Sequence, residues 1–299
     1  MENAYHIPAL LGETIEGLCI LPDGIYVDVT FGGGGHSTQI LQRLADNGRL
    51  FSFDQDIEAY ANRPENDNRW QFVHSNFRFL KNFMRYYGVS QIDGLLADLG
   101  VSFHHFDTAE RGFSFRFNGP LDMRMNPSAH ITAADVINNY QEEKLAGILY
   151  LYGEMNNSRQ VAKAICRARE KQPIQTTDQL TAAVRIDKKD LPKLFQAIRI
   201  EVNDELGALQ EMLKAAKDLL RPGGRIAVLT YHSLEDRIVK NFFKTGNFEG
   251  KQQKDFYGNL ITPFKVITGK PIVASEEEVN NNPRSRSAKL RIAEKKQDV

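Results

Sequence analysis

Cysteine is nearly absent from this chain: Cys19 and Cys166 are the only two in 299 residues, and no Cys-x-x-Cys pair occurs. That excludes a disulfide framework and leaves no cysteine-ligated zinc site. Net charge is absent as well, with 38 basic side chains against 38 acidic ones. A protein that coats nucleic acid or anionic membrane through bulk electrostatics carries a large excess of one sign. No apolar run reaches membrane-spanning length, and the opening Met1-Glu-Asn-Ala-Tyr-His6 has neither a basic nor an apolar signal region. A reduced, cytoplasmic compartment without a membrane partner is the expectation. The histidines show no metal-ligand spacing, so no metal is expected. What remains is an ordinary globular chain, 41% hydrophobic and 25% charged. Its length suits one large domain or two of ordinary size.

The first third alternates strand and helix signals. Ile25–Val29 is a β-branched run that ends in Gly32-Gly-Gly-Gly35, and a helical pattern runs from His36 to Asn47. Leu50–Phe53 ends at Asp54, and a helical stretch lies around Ile57–Ala61. Gln71–His74 reads as a third strand, Asn76 caps a helix to about Tyr87, and Ile92–Ala97 ends at Asp98. Repeated βα units predict a parallel sheet covered by helices on both faces. From Asp107 to Glu201 strand signals almost vanish, and Thr132, Ser158 and Thr177 each precede an apolar-periodic run as helix caps. Asn203 then caps a long amphipathic helix that Pro222-Gly-Gly224 terminates. Arg225–Thr230 is a fifth strand, Ser233-Leu-Glu-Asp236 has capping-box spacing, and Phe264–Thr268 and Ala288–Ala293 are further strand candidates. The simplest organisation is one sheet domain, 1–106 with 204–299, interrupted by a helical insert at 107–203.

Two constellations carry chemistry. Strand, glycine turn, helix, strand, acid is the pattern of an adenosine-binding βαβ unit, in which Asp54 binds both ribose hydroxyls. A dinucleotide site has a third glycine where this chain has Ser37, and Asp28 precedes the turn by four residues. A carboxylate there suits a ligand bearing an ammonium and a sulfonium and repels a pyrophosphate, which favours S-adenosylmethionine over NAD. A structural glycine turn with an incidental Asp28 is the plainer alternative. The second constellation is Leu95-Leu-Ala-Asp98-Leu-Gly-Val-Ser102, where strand four ends and a ligand of an open α/β sheet would sit. An exocyclic amine is a weak nucleophile because its lone pair is conjugated into the ring. An acceptor for one of its N–H groups, with alignment on a methyl-sulfonium, supplies much of what transfer needs. A loop-bracing carboxylate is the plainer account of Asp98.

Several long motifs together resemble the bacterial 16S ribosomal RNA cytosine N4-methyltransferase family. They are Asp28-Val-Thr-Phe-Gly-Gly-Gly-Gly-His-Ser37, Asp98-Leu-Gly-Val-Ser102, Glu110-Arg-Gly-Phe-Ser-Phe115 and Gly119-Pro-Leu-Asp-Met-Arg-Met125, with Thr230–Lys240 and Asn282–Glu294. The resemblance runs over nearly the whole chain. It implies a class I S-adenosylmethionine-dependent methyltransferase fold, a Rossmann-like α/β sheet with an inserted all-helical domain that recognises substrate. The implied reaction is methyl transfer to the N4 of a single cytidine, position 1402 of 16S ribosomal RNA, in the small-subunit decoding centre. By motif, Gly34, Gly35, His36, Asp54, Phe77 and Asp98 fall at cofactor contacts, with Phe77 beside the adenine. His105 stands where the family has a cofactor-contacting glutamine, and an imidazole does not replace both functions of an amide. Asp98 and Ser102 are taken as the catalytic pair.

On the substrate side the candidates are Asp122, Arg124, His232, Arg284 and Arg286. Asp122 and Arg124 either flank the target base or form an ion pair at the domain junction. Phe113, Phe115 and Phe117 alternate, a pattern suited to packing between the domains or to stacking an unpaired base. Arg159, Lys163, Arg167, Arg169 and Lys171, joined by Arg185, Lys188, Lys189 and Lys193, form a basic cluster in the insert. Arg284, Arg286, Lys289 and Arg291 form another near the end. The expected partner is 16S ribosomal RNA within the small subunit, bound locally rather than in bulk. A homodimer stays open. Rival readings are a methyltransferase for another RNA or a small molecule, and a non-catalytic ribosome-assembly binder.

Overall fold

The computed structural model describes residues 8–100, 108–258 and 260–297, which fall into two compact units. One is drawn from Met1–Gly100 and Leu206–Val299, the other from Val101–Glu205.

The first unit is a mixed sheet with the strand order β3-β2-β1-β4-β5-β8-β6, with β7 also paired to β8. The strands are β1 (Ile25–Asp28), β2 (Arg49–Asp54), β3 (Trp70–His74), β4 (Ile92–Asp98), β5 (Leu220–Thr230), β6 (Phe264–Val266), β7 (Ile272–Val273) and β8 (Lys289–Lys295). From β3 to β5 the pairing is parallel, and β8 joins β5 antiparallel. This is a Rossmann-like order, with β1 and β4 adjacent where the direction of winding reverses. Both faces are buried, as alternate side chains show. Val27, Phe51, Phe53, Leu95, Ala97, Ile226 and Val228 face one core, and Tyr26, Leu50, Leu96, Ala227 and Leu229 face the other. Around them lie α1 (Leu11–Leu18), α2 (Gly35–Leu41) and α3 (Leu80–Tyr86), and later α9 (Glu205–Leu219), α10 (Ser233–Thr245) and α11 (Glu276–Asn281). The segment Ile57–Asn62 is a 3-10 helix rather than an α-helix.

The second unit holds α4 (Ala133–Asn139), α5 (Glu142–Leu151), α6 (Ser158–Arg169), α7 (Thr177–Val184) and α8 (Leu191–Asn203) around its own apolar core. Thr132 caps α4 through a capping box with Asp135. The other two starts shift by one residue, with Asn157 and Thr176 in the cap positions. Asn203 does not cap α9. It is the last residue of α8, and left-handed Asp204 (φ 47°) makes the break. The Asn203 side chain instead accepts from the Met125 N–H (2.8 Å) and donates to the Met123 carbonyl (2.8 Å), tying an irregular segment to the helix. No helix among the described residues is long and apolar enough to cross a membrane.

Candidate functional site

Reversal of strand order between β1 and β4 opens a crevice at the strands' carboxyl ends. The glycine turn, Asp54 and Asp98 all lie at that edge. After β1 the chain turns at Gly32 (φ 49°) and Gly34 (φ 75°), conformations that L side chains rarely adopt. A Cβ on Gly34 would lie 3.1 Å from the Phe31 ring and from the Asn62 carbonyl, whereas one on Gly33 would meet nothing within 4 Å. The turn is therefore tight on its inner side and open at Gly33. Gly35 begins α2.

Asp28 does not face outward to a cationic ligand, as its place before the turn suggested. It is 1% exposed, and its carboxylate accepts from the Thr30 N–H (3.0 Å) and the Ser37 hydroxyl (2.7 Å). The Ser37 hydroxyl also lies 2.8 Å from that of Ser52, which accepts from the Trp70 indole N–H (2.8 Å). Ser37 is thus a polar strut inside the βαβ unit. Burial pushes the Asp28 carboxyl up to about 6 against the opposing Ser37 and Thr30 hydrogen bonds, and the charge of Asp54 adds to the rise.

Asp54 ties the turn to β2, accepting the Gly32 N–H (2.8 Å) and the Asp56 N–H (2.9 Å) while remaining half-buried. Phe77 opens a 3-10 turn, with Asn76 accepting the Arg78 N–H (3.0 Å), and its ring is half-buried against the sheet's core.

At the end of β4, the Asp98 N–H donates to the Thr30 hydroxyl (2.6 Å), and one carboxylate oxygen accepts from the Tyr231 hydroxyl (2.7 Å). The other oxygen lies 3.7 Å from His36 Nδ1, and the side chain is 22% exposed. Burial pushes the Asp98 carboxyl up to about 7, with the charges of Asp28 and Glu235 adding and the Tyr231 hydrogen bond opposing. Burial also drives His36 down to about 4. The ring is therefore neutral at pH 7, and its approach to Asp98 is not an ion pair. His36 Nε2 is buried with no hydrogen-bond partner among the described residues.

Tyr231 was not singled out from the sequence. The parallel pairing Asp98↔Leu229 carries the chain to it two residues later, and Gly100 (φ 106°) passes so close that a Cβ there would lie 3.4 Å from its ring. Burial and the charge of Asp98 push the phenol well above its ordinary range.

The capping box that opens α10 lies one residue earlier than its spacing suggested. His232 is the N-cap, and Glu235, 2% exposed, accepts from the Tyr231 N–H (2.9 Å). The His232 ring makes this cap through Nδ1 (3.5 Å), and its buried Nε2 lies 3.2 Å from the Glu235 carboxylate. Asp236, expected at the cap, instead binds Arg291 through two oxygens (2.6 and 3.2 Å). Arg284 and Arg286 lie on the 3-10 turn Pro283–Ser287, the first half-buried and the second exposed.

In the second unit Asp122 and Arg124 form a bidentate pair (2.8 and 2.7 Å), and Arg124 also donates to the Ala129 carbonyl (2.7 Å). Burial acts to raise the Asp122 carboxyl, but the bonds and charge of Arg124 outweigh it and hold it below its ordinary 3.8. Phe113 is buried in this unit's own core, Phe115 packs edge-on against Phe195 (5.6 Å), and Phe117 is exposed. Arg159, Lys163 and Arg167 stand exposed along α6, whereas Arg169 turns in to the Ile137 carbonyl (2.6 Å). Ser102 and His105 lie outside the described residues.

A family model described as the MraW methylase family matches residues 3–296. Proteins named ribosomal RNA small subunit methyltransferase H are similar over nearly their whole length. That from Bacteroides fragilis is 59% identical over 301 residues, covering 99% of each chain. The one from Phocaeicola vulgatus is 60% identical over 301 residues with the same coverage, and that from Flavobacterium johnsoniae is 52% identical over 297 residues, 97% of this chain and 98% of its own. Among solved structures, an rRNA methylase from Streptococcus thermophilus aligns over 98% of this chain and 99% of its own, at 13% identity and a TM-score of 0.45.

Proposed function

The chain belongs to the MraW methylase family, and from that premise we propose that it transfers a methyl group from S-adenosylmethionine to the exocyclic N4 of one cytidine of 16S ribosomal RNA, in the small-subunit decoding centre. The observation that carries this reading is Asp98: a carboxylate at the carboxyl end of β4, oriented by the Tyr231 hydroxyl at 2.7 Å and beside the glycine turn through His36 and Thr30. The names of the relatives supply the RNA, and the residues supply the chemistry.

S-adenosylmethionine fits the residues at this edge. The open side of Gly33 admits a ligand next to the backbone, His36 Nε2 has no hydrogen-bond partner among the described residues, and the half-buried Asp54 carboxylate lies at the same edge. Gly34, Gly35, His36, Asp54 and Phe77 would hold it, Phe77 through its ring and Asp54 through the ribose hydroxyls. When bound, it supplies a methyl group made electrophilic by the sulfonium. Asp98 in its ionised form accepts an N–H of the cytosine amine, which keeps electron density on N4 and fixes the amine's direction. Tyr231 positions that carboxylate and favours its ionised form. We assign substrate recognition to the helical unit, where the exposed Arg159, Lys163 and Arg167 suit phosphate contact. Arg284 and Arg286 extend that role into the first unit.

Purified protein incubated with radiolabelled S-adenosylmethionine should label small ribosomal subunits that lack the modification, and mass mapping of the RNA should place the methyl on one cytidine. Absence of label on every ribosomal RNA would end the proposal. Asp54→Ala should weaken S-adenosylmethionine binding in calorimetry, and unchanged affinity would remove its ribose role.

A further inference from the structure

Between α10 and β6 the chain builds a projecting turn that the proposed reaction does not use. Asp255 opens it, its carboxylate accepting the Tyr257 N–H (2.9 Å) and its carbonyl the Gly258 N–H (3.1 Å), and Gly258 closes it at φ 87°. An antiparallel bridge pairs Lys254 with Leu260, and the Ile261 N–H donates to the Gln253 carbonyl (2.9 Å). The two residues at the tip are aromatic and face solvent almost entirely: Phe256 is 97% exposed and Tyr257 86%, their rings edge-on at 5.6 Å. Burial is the usual fate of such side chains, and a pair displayed on a hydrogen-bonded turn marks a contact surface.

The surrounding charge identifies what that surface meets. Residues 240–270 contain six lysines, at 240, 244, 251, 254, 265 and 270, against two acids, Glu249 and Asp255, in a chain whose overall balance is zero. All six lysines are exposed, and none has an ion-pair partner among the described residues. Lys240 and Lys244 on α10 line a groove of about 310 Å³ with Val266 at the end of β6, the strand into which the turn leads, and Thr268 and Gly269 just past it. Stacking rings beside unpaired ammonium groups is the chemistry that binds single-stranded nucleic acid: ring faces stack on unpaired bases while lysines follow the phosphates. Paired bases in a duplex hide their faces from such a turn.

We propose that the Phe256–Tyr257 turn and the Lys240–Lys244 groove form a second RNA contact, which grips an unpaired strand away from the methyl-transfer site. The inference rests on the reading that RNA is the substrate, and it adds a docking surface to it.

The test is fluorescence anisotropy of full-length protein with a labelled oligouridine strand across a potassium chloride series. Replacing both tip residues (Phe256→Ala with Tyr257→Ala) should weaken oligouridine binding about ten-fold and leave the salt slope unchanged. Lys240→Gln with Lys244→Gln should lower that slope by about 0.7 for each phosphate no longer neutralised. An RNA duplex of the same length should bind both the wild type and the tip variant alike. Wild-type affinity for oligouridine in both variants would overturn the proposal. So would an aromatic effect on self-association in sedimentation, or on binding to anionic vesicles, without one on RNA. Labelling of small subunits by the wild type tests the reaction separately. A protein that labels nothing yet loses oligouridine through the tip variant refutes the reaction and keeps this surface, whereas normal labelling with an inert turn does the reverse.

Discussion

Two carboxylates, one in each unit, Asp98 at the end of β4 and Asp122 in an irregular segment, end in opposite electrostatic states. Among the described residues Asp98 has a phenol and a neutral imidazole around it and no cation, so burial holds its carboxyl up at about 7. Asp122 is 26% exposed, close to the 22% of Asp98, yet the Arg124 fork holds it below 3.8. Both burial and partner separate them: burial weighs more heavily on Asp98, and Asp122 has a cation that outweighs it. A carboxylate gripped by a guanidinium has most of its lone pairs engaged, as the three bonds Asp122 accepts from Arg124 show, and fixes a loop. A carboxylate oriented by one hydroxyl, titrating near neutral pH, is free to respond to an incoming N–H. That contrast supports the proposed chemistry at Asp98 and suits Asp122 to bracing.

The largest effect expected from breaking this contrast is at Asp98. Asp98→Asn should reduce methyl transfer by about 10²- to 10⁴-fold, the usual range for a lost acid–base group, and abolish a rise in wild-type kcat/KM centred near pH 7. Its stability should move the other way. A carboxyl whose pKa is raised from 3.8 to about 7 on folding contributes stability that is complete below 3.8 and lost as pH rises through 7. Asparagine cannot ionise, so the variant should melt above the wild type at pH 8, and the gap should close toward pH 4. Lower melting at pH 8 together with full activity would make Asp98 an ordinary brace.

Much of this was legible in the chain because sheet cores repeat with period two and strand-end acids follow short apolar runs. The βα alternation, the glycine turn, Asp54 and Asp98 could be placed that way. Helix caps drifted by one residue at Asn157, Thr176 and His232, because each has a capping-competent neighbour and only tertiary packing chooses between them. Tyr231 escaped notice because its meeting with Asp98 depends on β4 pairing with β5 across the whole helical unit. The place of β8 between β5 and β6 is equally non-local. Asp28 misled for a related reason. Its proximity to the turn is visible in sequence, but its inward direction is set by Ser37 and Ser52.

A smaller effect belongs to the bracing side. Arg124→Ala leaves the half-buried Asp122 carboxylate without its fork and frees the Ala129 carbonyl. A loss of about 1–3 kcal/mol follows from stranding a partly buried charged acceptor, readable as a lower denaturant midpoint. S-adenosylmethionine affinity by calorimetry should be unchanged. The acid dependence has the opposite sign to that of Asp98: a depressed pKa contributes stability above 3.8 that fades as pH falls below it. The wild type and Arg124→Ala should therefore converge in strongly acidic buffer. A variant as stable as the wild type at pH 7 would remove the bracing role and return Asp122 to the substrate side.

The smallest change tests whether the partner sets the state of Asp98. The Tyr231 hydroxyl opposes the upward push of burial, so Tyr231→Phe should raise the Asp98 carboxyl further and shift the kcat/KM midpoint to higher pH. At pH 7 the variant should be slower by up to about ten-fold, the scale of one ordinary net hydrogen bond, and recover toward wild-type rates in alkaline buffer. A purely structural role for Tyr231 would lower activity equally at all pH values and leave the midpoint in place. The pH at half-maximal rate, more than the rate itself, therefore decides whether the phenol tunes the carboxylate or merely packs beside it.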